Sequence, residues 1–184
     1  SEAFLAGWER LMHELGSRYD DDPRMGWVDV GGYGSYGEWH VSSGREITEA
    51  NAARVVRAVL DAFPSTHVVI NAMTPRLVLQ ALEASPRLGL RVGCLGEVDM
   101  FSTLATSAEM RERWRTAPVL SEWCGTFTTS TTLGAEQVRK YHISQTSSGN
   151  LKVPYAQMTP AQRSGFEAAA RAAGYRYEVR GVTV

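Results

Sequence analysis

Helical and strand-like segments alternate along almost the whole chain, and this rhythm constrains the fold more than any other feature of the sequence. Residues 3–19 place Phe4, Leu5, Trp8, Leu11, Met12 and Leu15 at helical spacing, and Asp20-Asp21-Asp22-Pro23 ends that run. Gly26–Gly31 then reads as a short strand, followed by a Gly/Tyr/Ser loop. A helix opening at Thr48, a strand at His67–Asn71, a helix opened by Pro75, a strand at Leu88–Gly93 and a helical run at Ser107–Arg115 follow in turn. The pattern continues with a strand at Pro118–Glu122, a short helix at Gly134–Tyr141, a strand at His142–Gln145 and a helix from Thr159 to Ala173, stopped by Gly174. Tyr175–Val184 reads as a final strand. Strands alternating with helices predict an α/β protein built from parallel βα units.

Composition narrows what such a fold can do. Lys and Arg number 19 against 20 Asp and Glu, a net charge of −1, so no basic surface signals a nucleic-acid partner. No apolar run approaches the ~20 residues of a membrane-spanning helix. The two cysteines, Cys94 and Cys124, cannot form a disulfide framework, and no Cys/His spacing suggests zinc. Both follow predicted strands, so one disulfide and two free thiols are both open readings, the first fitting an exported protein. The chain opens Ser1-Glu2-Ala3 without Met, as a cleaved or trimmed product would. Any secretion signal would lie outside it, and localisation is left open.

Gly32-Tyr33-Gly34-Ser35-Tyr36-Gly37 matches G-x-G-x-x-G after a strand, which invites a nucleotide-dependent reading. That motif needs a helix beginning at the loop, to meet the pyrophosphate with its amino end. Here Glu38–Gly44 intervenes and the next helix starts near Thr48. Ser35 also lacks the glycine two positions earlier that a nucleophile elbow requires.

A different pattern gathers at the carboxyl ends of the strands, where parallel barrels carry their working residues. Glu38 and His40, Asn71, Glu97 and Asp99, Glu122, and Ser144 with Gln145 fall there. Tyr33, Tyr36, Trp39 and Trp123 flank them. Carboxylates beside aromatic rings suit a sugar, whose C–H faces stack on rings while its hydroxyls need acceptors. Glu38 follows the first predicted strand and Glu122 closes the fourth, which in a closed barrel places them across the mouth. Against these readings stand plainer ones: paired structural carboxylates, a structural His40, a solvated Asp99, and tryptophans that pack in the core.

Gly37-Glu38-Trp39-His40 resembles a segment of a glycoside-hydrolase-like (β/α)₈ barrel family, largely of unknown function and distantly related to clan A glycoside hydrolases. The likeness extends to Tyr19–Arg24, the Gly31–His40 loop, Leu90–Gly93 leading to Asp99, Pro118–Glu122, Tyr141–Ser144 and Gly174–Tyr177. The resemblance implies that Gly26–Gly31 is the fourth barrel strand and Pro118–Glu122 the seventh. It implies Glu38 as acid/base and Glu122 as nucleophile or stabiliser. Tyr36, Trp39, His40, Asn71, Asp99 and Trp123 become substrate-binding candidates, with no metal and no cofactor. Two departures stand out: Gly37 occupies the place of an Asn that precedes the acid/base, and Ser121 the place of a Gly before the strand-seven Glu.

In that register strands one to three are missing, because such a barrel needs ~200–250 residues and this chain has 184. Residues 1–175 read as a partial barrel, about strands four to eight, and 176–184 as a last strand, with the start of an accessory β-domain as one reading of it. An open half-barrel would expose a sheet edge and an apolar inner face. The remainder of a longer chain, or a second copy, would cover that edge. The expected partner is a carbohydrate; a non-catalytic carbohydrate-binding or scaffold barrel is the alternative, and the nucleotide-dependent enzyme the third.

Overall fold

A computed structural model of the chain describes residues 1–44, 46–124, 130–147, 149 and 153–174. The βα rhythm is realised nearly as read. Helix α1 (Glu2–Tyr19) leads to strand β1 (Trp27–Asp29), and α2 (Glu49–Ala62) to β2 (His67–Asn71). Then come α3 (Pro75–Ala84), β3 (Leu88–Leu95), the short helices α4 (Val98–Ser102) and α5 (Ala108–Glu112), and β4 (Val119–Trp123). The described part closes with α6 (Ser130–Lys140), β5 (Gln145–Ser147) and α7 (Pro160–Ala172). The caps explain the helix starts: Thr48 accepts from the Asn51 amide, Ser107 from Met110, and Thr159 forms a capping box with Gln162. The predicted strand at Tyr175–Val184, and with it the segment 176–184, lies outside the described residues.

One strand is displaced from its expected place. Residues 142–144 are not strand; β5 begins at Gln145. His142 adopts a left-handed φ of 52°, and the Ile143 amide bonds back to the Val138 carbonyl at 3.0 Å. This closes α6 in the manner of a left-handed helix cap. The chain therefore spends three residues on finishing a helix before it can extend, and an apolar Ile143 inside a short run disguised that.

The five strands form one all-parallel sheet in the order β1-β2-β3-β4-β5. It curls into a half-barrel. Asp29 on β1 reaches Arg91 two strands away on β3. The outer face carries Val30, Val68, Ile70, Leu88, Leu90, Val92, Val119 and Trp123, all in one apolar cluster with Val55, Val56 and Val59 of α2 and Leu77, Val78 and Leu82 of α3. Strand periodicity puts Asp29, Val69, Asn71, Gly89, Arg91, Gly93, Leu120 and Glu122 on the opposite, inner face. Val69 and Leu120 are buried but stand outside the main cluster, as inner-face residues should. The expected apolar inner face is thus corrected: polar and charged side chains and glycines share it.

Helix α1 lies across α2, where Gly16 makes the contact possible. A Cβ on Gly16 would stand 2.1 Å from the Ala62 carbonyl oxygen, and backbone cannot move aside as a side chain can. Gly16→Ala is expected to lower stability by about 1–3 kcal/mol, the usual cost of overpacking. Thermal unfolding of the variant measures this, and an unchanged midpoint would show that α1 does not dock as described.

Candidate active site on the inner face

The loop after β1 positions Glu38. Gly34 and Gly37 adopt left-handed φ values of 91° and 76°. A Cβ on Gly34 would meet the His40 carbonyl oxygen at 2.6 Å, and one on Gly37 the Gly31 carbonyl oxygen at 2.7 Å. A Cβ on Gly32 would press on the Trp8 ring and Val55 at 2.8 Å. Turn geometry and close packing therefore account for all three glycines of the G-x-G-x-x-G pattern, and α2 begins only at Glu49. The loop is held by the Ser35 amide donating to the His40 carbonyl at 2.7 Å and the Trp39 amide donating to the Tyr33 carbonyl at 3.1 Å. Thr74 donates its hydroxyl to the Trp39 carbonyl. The same crowding leaves no room for a side chain at position 37, so the Asn found there in the barrel family that the sequence resembles would not fit.

At the centre stands Arg91, on the middle strand β3 with 18% of its side chain exposed. Three carboxylates from three elements converge on it. Asp29 Oδ2 on β1 lies 2.6 Å from Nε, Glu38 Oε1 3.7 Å from one terminal nitrogen, and Glu122 Oε1 on β4 3.2 Å from the other. Only the Glu122 contact is a charge-assisted hydrogen bond. Gly93, beside Glu122, leaves room for its carboxylate; a Cβ there would reach Glu122 Oε1 at 3.9 Å. The fixed guanidinium fork holds its two terminal nitrogens about 2.3 Å apart, so the Glu38 and Glu122 oxygens lie within about 9 Å of each other.

Neither Asp29 nor Arg91 figures among the residues read from the sequence as site candidates. Both carried a signal. Asp29 is an acid between two valines of a strand, and Arg91 the one charge in Leu88-Gly89-Leu90-Arg91-Val92-Gly93. In a strand of a parallel sheet, such residues are rarely free of a partner on the sheet face.

The Asp29 carboxyl is shifted upward. Burial pushes it above the ordinary value of 3.8; Arg91 pulls it down, and Glu122 and Glu38 add to the rise. Its Oδ1 and the Arg91 Nε find no hydrogen-bond partner among the described residues, although Nε is close to Oδ2, because the N–H is not aimed at it. A carboxyl raised in the folded state contributes most when both states are protonated, and that contribution fades as pH rises through the raised value. Asp29→Asn, always neutral, is therefore expected to gain stability relative to the parent as pH rises from about 4 to neutrality. Denaturant unfolding at both pH values reads the difference; an equal gap at the two would contradict it.

The remaining candidates separate clearly. Asn71 is buried beside Arg91 in strand register, and its Oδ1 accepts from the Met73 amide at 3.1 Å. His40 Nδ1 lies 3.4 Å from the Glu38 carbonyl oxygen, so its ring is close to the backbone of Glu38. Tyr36 stands almost wholly exposed on the loop. Trp39 and Trp123 are corrected as sugar platforms. Trp39 is fully buried, donates Nε1–H to the Val30 carbonyl and packs edge-on against Tyr33; Trp123 is 1% exposed and packs on Phe166 and against Gly134. Strand alternation turns Trp123 outward while its neighbour Glu122 turns inward. Asp99 lies in α4, and its side chain is outside what is described.

The rim is braced on both sides. Cys94 and Cys124 form a disulfide with Cα atoms 4.6 Å apart, tying the end of β3 to the end of β4. Buried Gln137 of α6 accepts from the Gly96 amide at 2.6 Å and donates to the Glu97 carbonyl at 3.1 Å, clamping the loop after β3. Ser121 faces outward and donates to the Val92 carbonyl at 2.8 Å. Among the described residues no group of three or more His, Cys, Asp or Glu side chains is arranged to hold a metal ion. A scan against models of known protein families gives no match, and no curated protein matches the chain, so the geometry of this cluster is the ground on which function rests.

Proposed function

We propose that the chain is a carbohydrate-active, glycoside-hydrolase-like protein, with β1 to β5 as the fourth to eighth strands of a (β/α)₈ barrel. Glu38 is its acid/base and Glu122 its nucleophile or stabiliser. The observation that carries this is that both carboxylates reach one guanidinium and so lie no more than about 9 Å apart, below the upper limit of ~9.5 Å for carboxyl pairs that cleave glycosides. Glu122 accepts a hydrogen bond from Arg91 and Glu38 stands 3.7 Å from the same guanidinium, so one cation orients both carboxylates. Tyr36 on the rim, and Asn71 and His40 beside the pair, remain the sugar-contacting candidates, with Asp99 carried from the resemblance alone. Strands β1 and β5 end the described sheet, and the remainder of a longer chain or a second copy would complete the barrel there. The disulfide fits maturation in an oxidising compartment.

A second reading is favoured by Arg91 itself. A cation shared by both carboxylates serves equally to hold acceptors for sugar hydroxyls, as in a non-catalytic carbohydrate-binding barrel. Turnover of an aryl-glycoside panel by the parent, and its loss in Glu122→Gln, separates the two. Sugar binding without turnover selects the second.

A further inference from the structure

We propose that Arg91 and Asp29 form a positioning unit that fixes the separation and direction of Glu38 and Glu122. The proposal rests on the carboxylate-pair reading and adds to it two residues that touch the pair, not the sugar. Glu38 comes from a loop and Glu122 from a strand three places away in the sheet, so no common backbone element sets their distance. Arg91 supplies one. Its strand is paired on both sides, to β2 through Asn71↔Arg91 and to β4 through Arg91↔Leu120, and three residues on it is tied to β4 by the disulfide. The guanidinium is planar and rigid, and its two terminal nitrogens face different carboxylates. It therefore acts as a spacer, holding two like charges that would otherwise separate.

A spacer must not swing, and Asp29 stands where it can prevent that. It occupies the third side of the guanidinium, against Nε at 2.6 Å, from the far side of the half-barrel. The charged groups facing Asp29 are Arg91 from β3, Glu122 from β4 and Glu38 from the loop. The inner-face residues of β2 near it are Val69 and Asn71, which do not titrate. Glu38 stands 3.7 Å from the guanidinium, held in line without a direct hydrogen bond.

Lysine keeps the charge of Arg91 but has one point where the guanidinium has a fork. Arg91→Lys in the intact protein is expected to lower kcat for an aryl glycoside about 100-fold, the scale of a displacement of about 1 Å, with KM within about threefold. Asp29→Asn, which conserves shape, should lower kcat in the same pattern. It should also release Arg91 Nε from its carboxylate neighbour at 2.6 Å, shifting the Arg91 Nε–H signal in ¹⁵N NMR, which is assigned by its absence in Arg91→Lys. Circular dichroism of both variants confirms that they fold. Arg91→Lys with parental kcat, or an Arg91 Nε–H resonance unchanged in Asp29→Asn, overturns the proposal. A parent that turns over no glycoside, while Asp29→Asn still shifts the resonance, overturns the hydrolase reading alone and leaves the unit as the organiser of a binding site.

Discussion

Replacing Glu122 by Gln is expected to lower aryl-glycoside turnover by about 10³-fold or more while sugar affinity changes little. Glutamine has the shape of glutamate, so the inner face keeps its packing, and the amide oxygen can still accept from Arg91. What is lost is the negative charge that attacks, or stabilises, the sugar cation in the transition state. Glu38→Gln should behave differently. A general acid helps in proportion to how poor the leaving group is, so its loss should reach about 10²–10⁴-fold for an alkyl glycoside. It should be far smaller for an aryl glycoside with an acidic phenol, whose departure needs no proton. This contrast between the two glutamates would be hard to produce by misfolding, which would lower both substrates alike. Full activity of Glu122→Gln on any cleaved glycoside would remove the carboxylate-pair mechanism.

Breaking the Cys94–Cys124 bond is the other large expected effect. The bond closes a loop with a sequence separation of 30, and for such a loop the chain-entropy account gives about 3–4 kcal/mol of stabilisation. For a chain of this size each kcal/mol moves the unfolding midpoint by about 2–4 °C. Reduction, or the double variant Cys94→Ala/Cys124→Ala, should therefore lower Tm by roughly 6–16 °C. The loss should be felt at the site as well, because the bond joins the strand of Arg91 to the strand of Glu122 just past both residues. A reduced protein with an unchanged Tm would show that the link contributes nothing to the fold.

Much of this molecule was legible in its sequence because the signals were local. Thr48, Ser107 and Thr159 mark helix starts by capping hydrogen bonds within three residues, and Pro75 by its fixed φ at the first helical position. The strand boundaries at His67–Asn71 and Leu88 followed from runs of apolar residues flanked by breakers. His142 reads as strand in the sequence because a left-handed cap on a non-glycine residue leaves little trace in composition. Trp39 and Trp123 were drawn into the site by their neighbours Glu38 and Glu122, and adjacency in a strand or tight loop is a poor guide. Successive side chains of a strand point to opposite faces, and at Trp39 the loop returns the ring to the core.

By itself, then, the sequence determined the succession of helices and strands and hence a parallel α/β fold, together with two carboxylates at the carboxyl ends of strands. Those outcomes depend on propensity, capping and periodicity, which act over a few residues. Only the tertiary structure decided that the inner face is charged, that Asp29 and Arg91 belong to the site, and that Glu38 and Glu122 share one cation. It also decided that the two cysteines pair and that the two tryptophans pack in the hydrophobic core. These depend on residues brought together across strands: Asp29 lies 62 positions before Arg91, and the two meet because β1 and β3 flank β2 in the sheet.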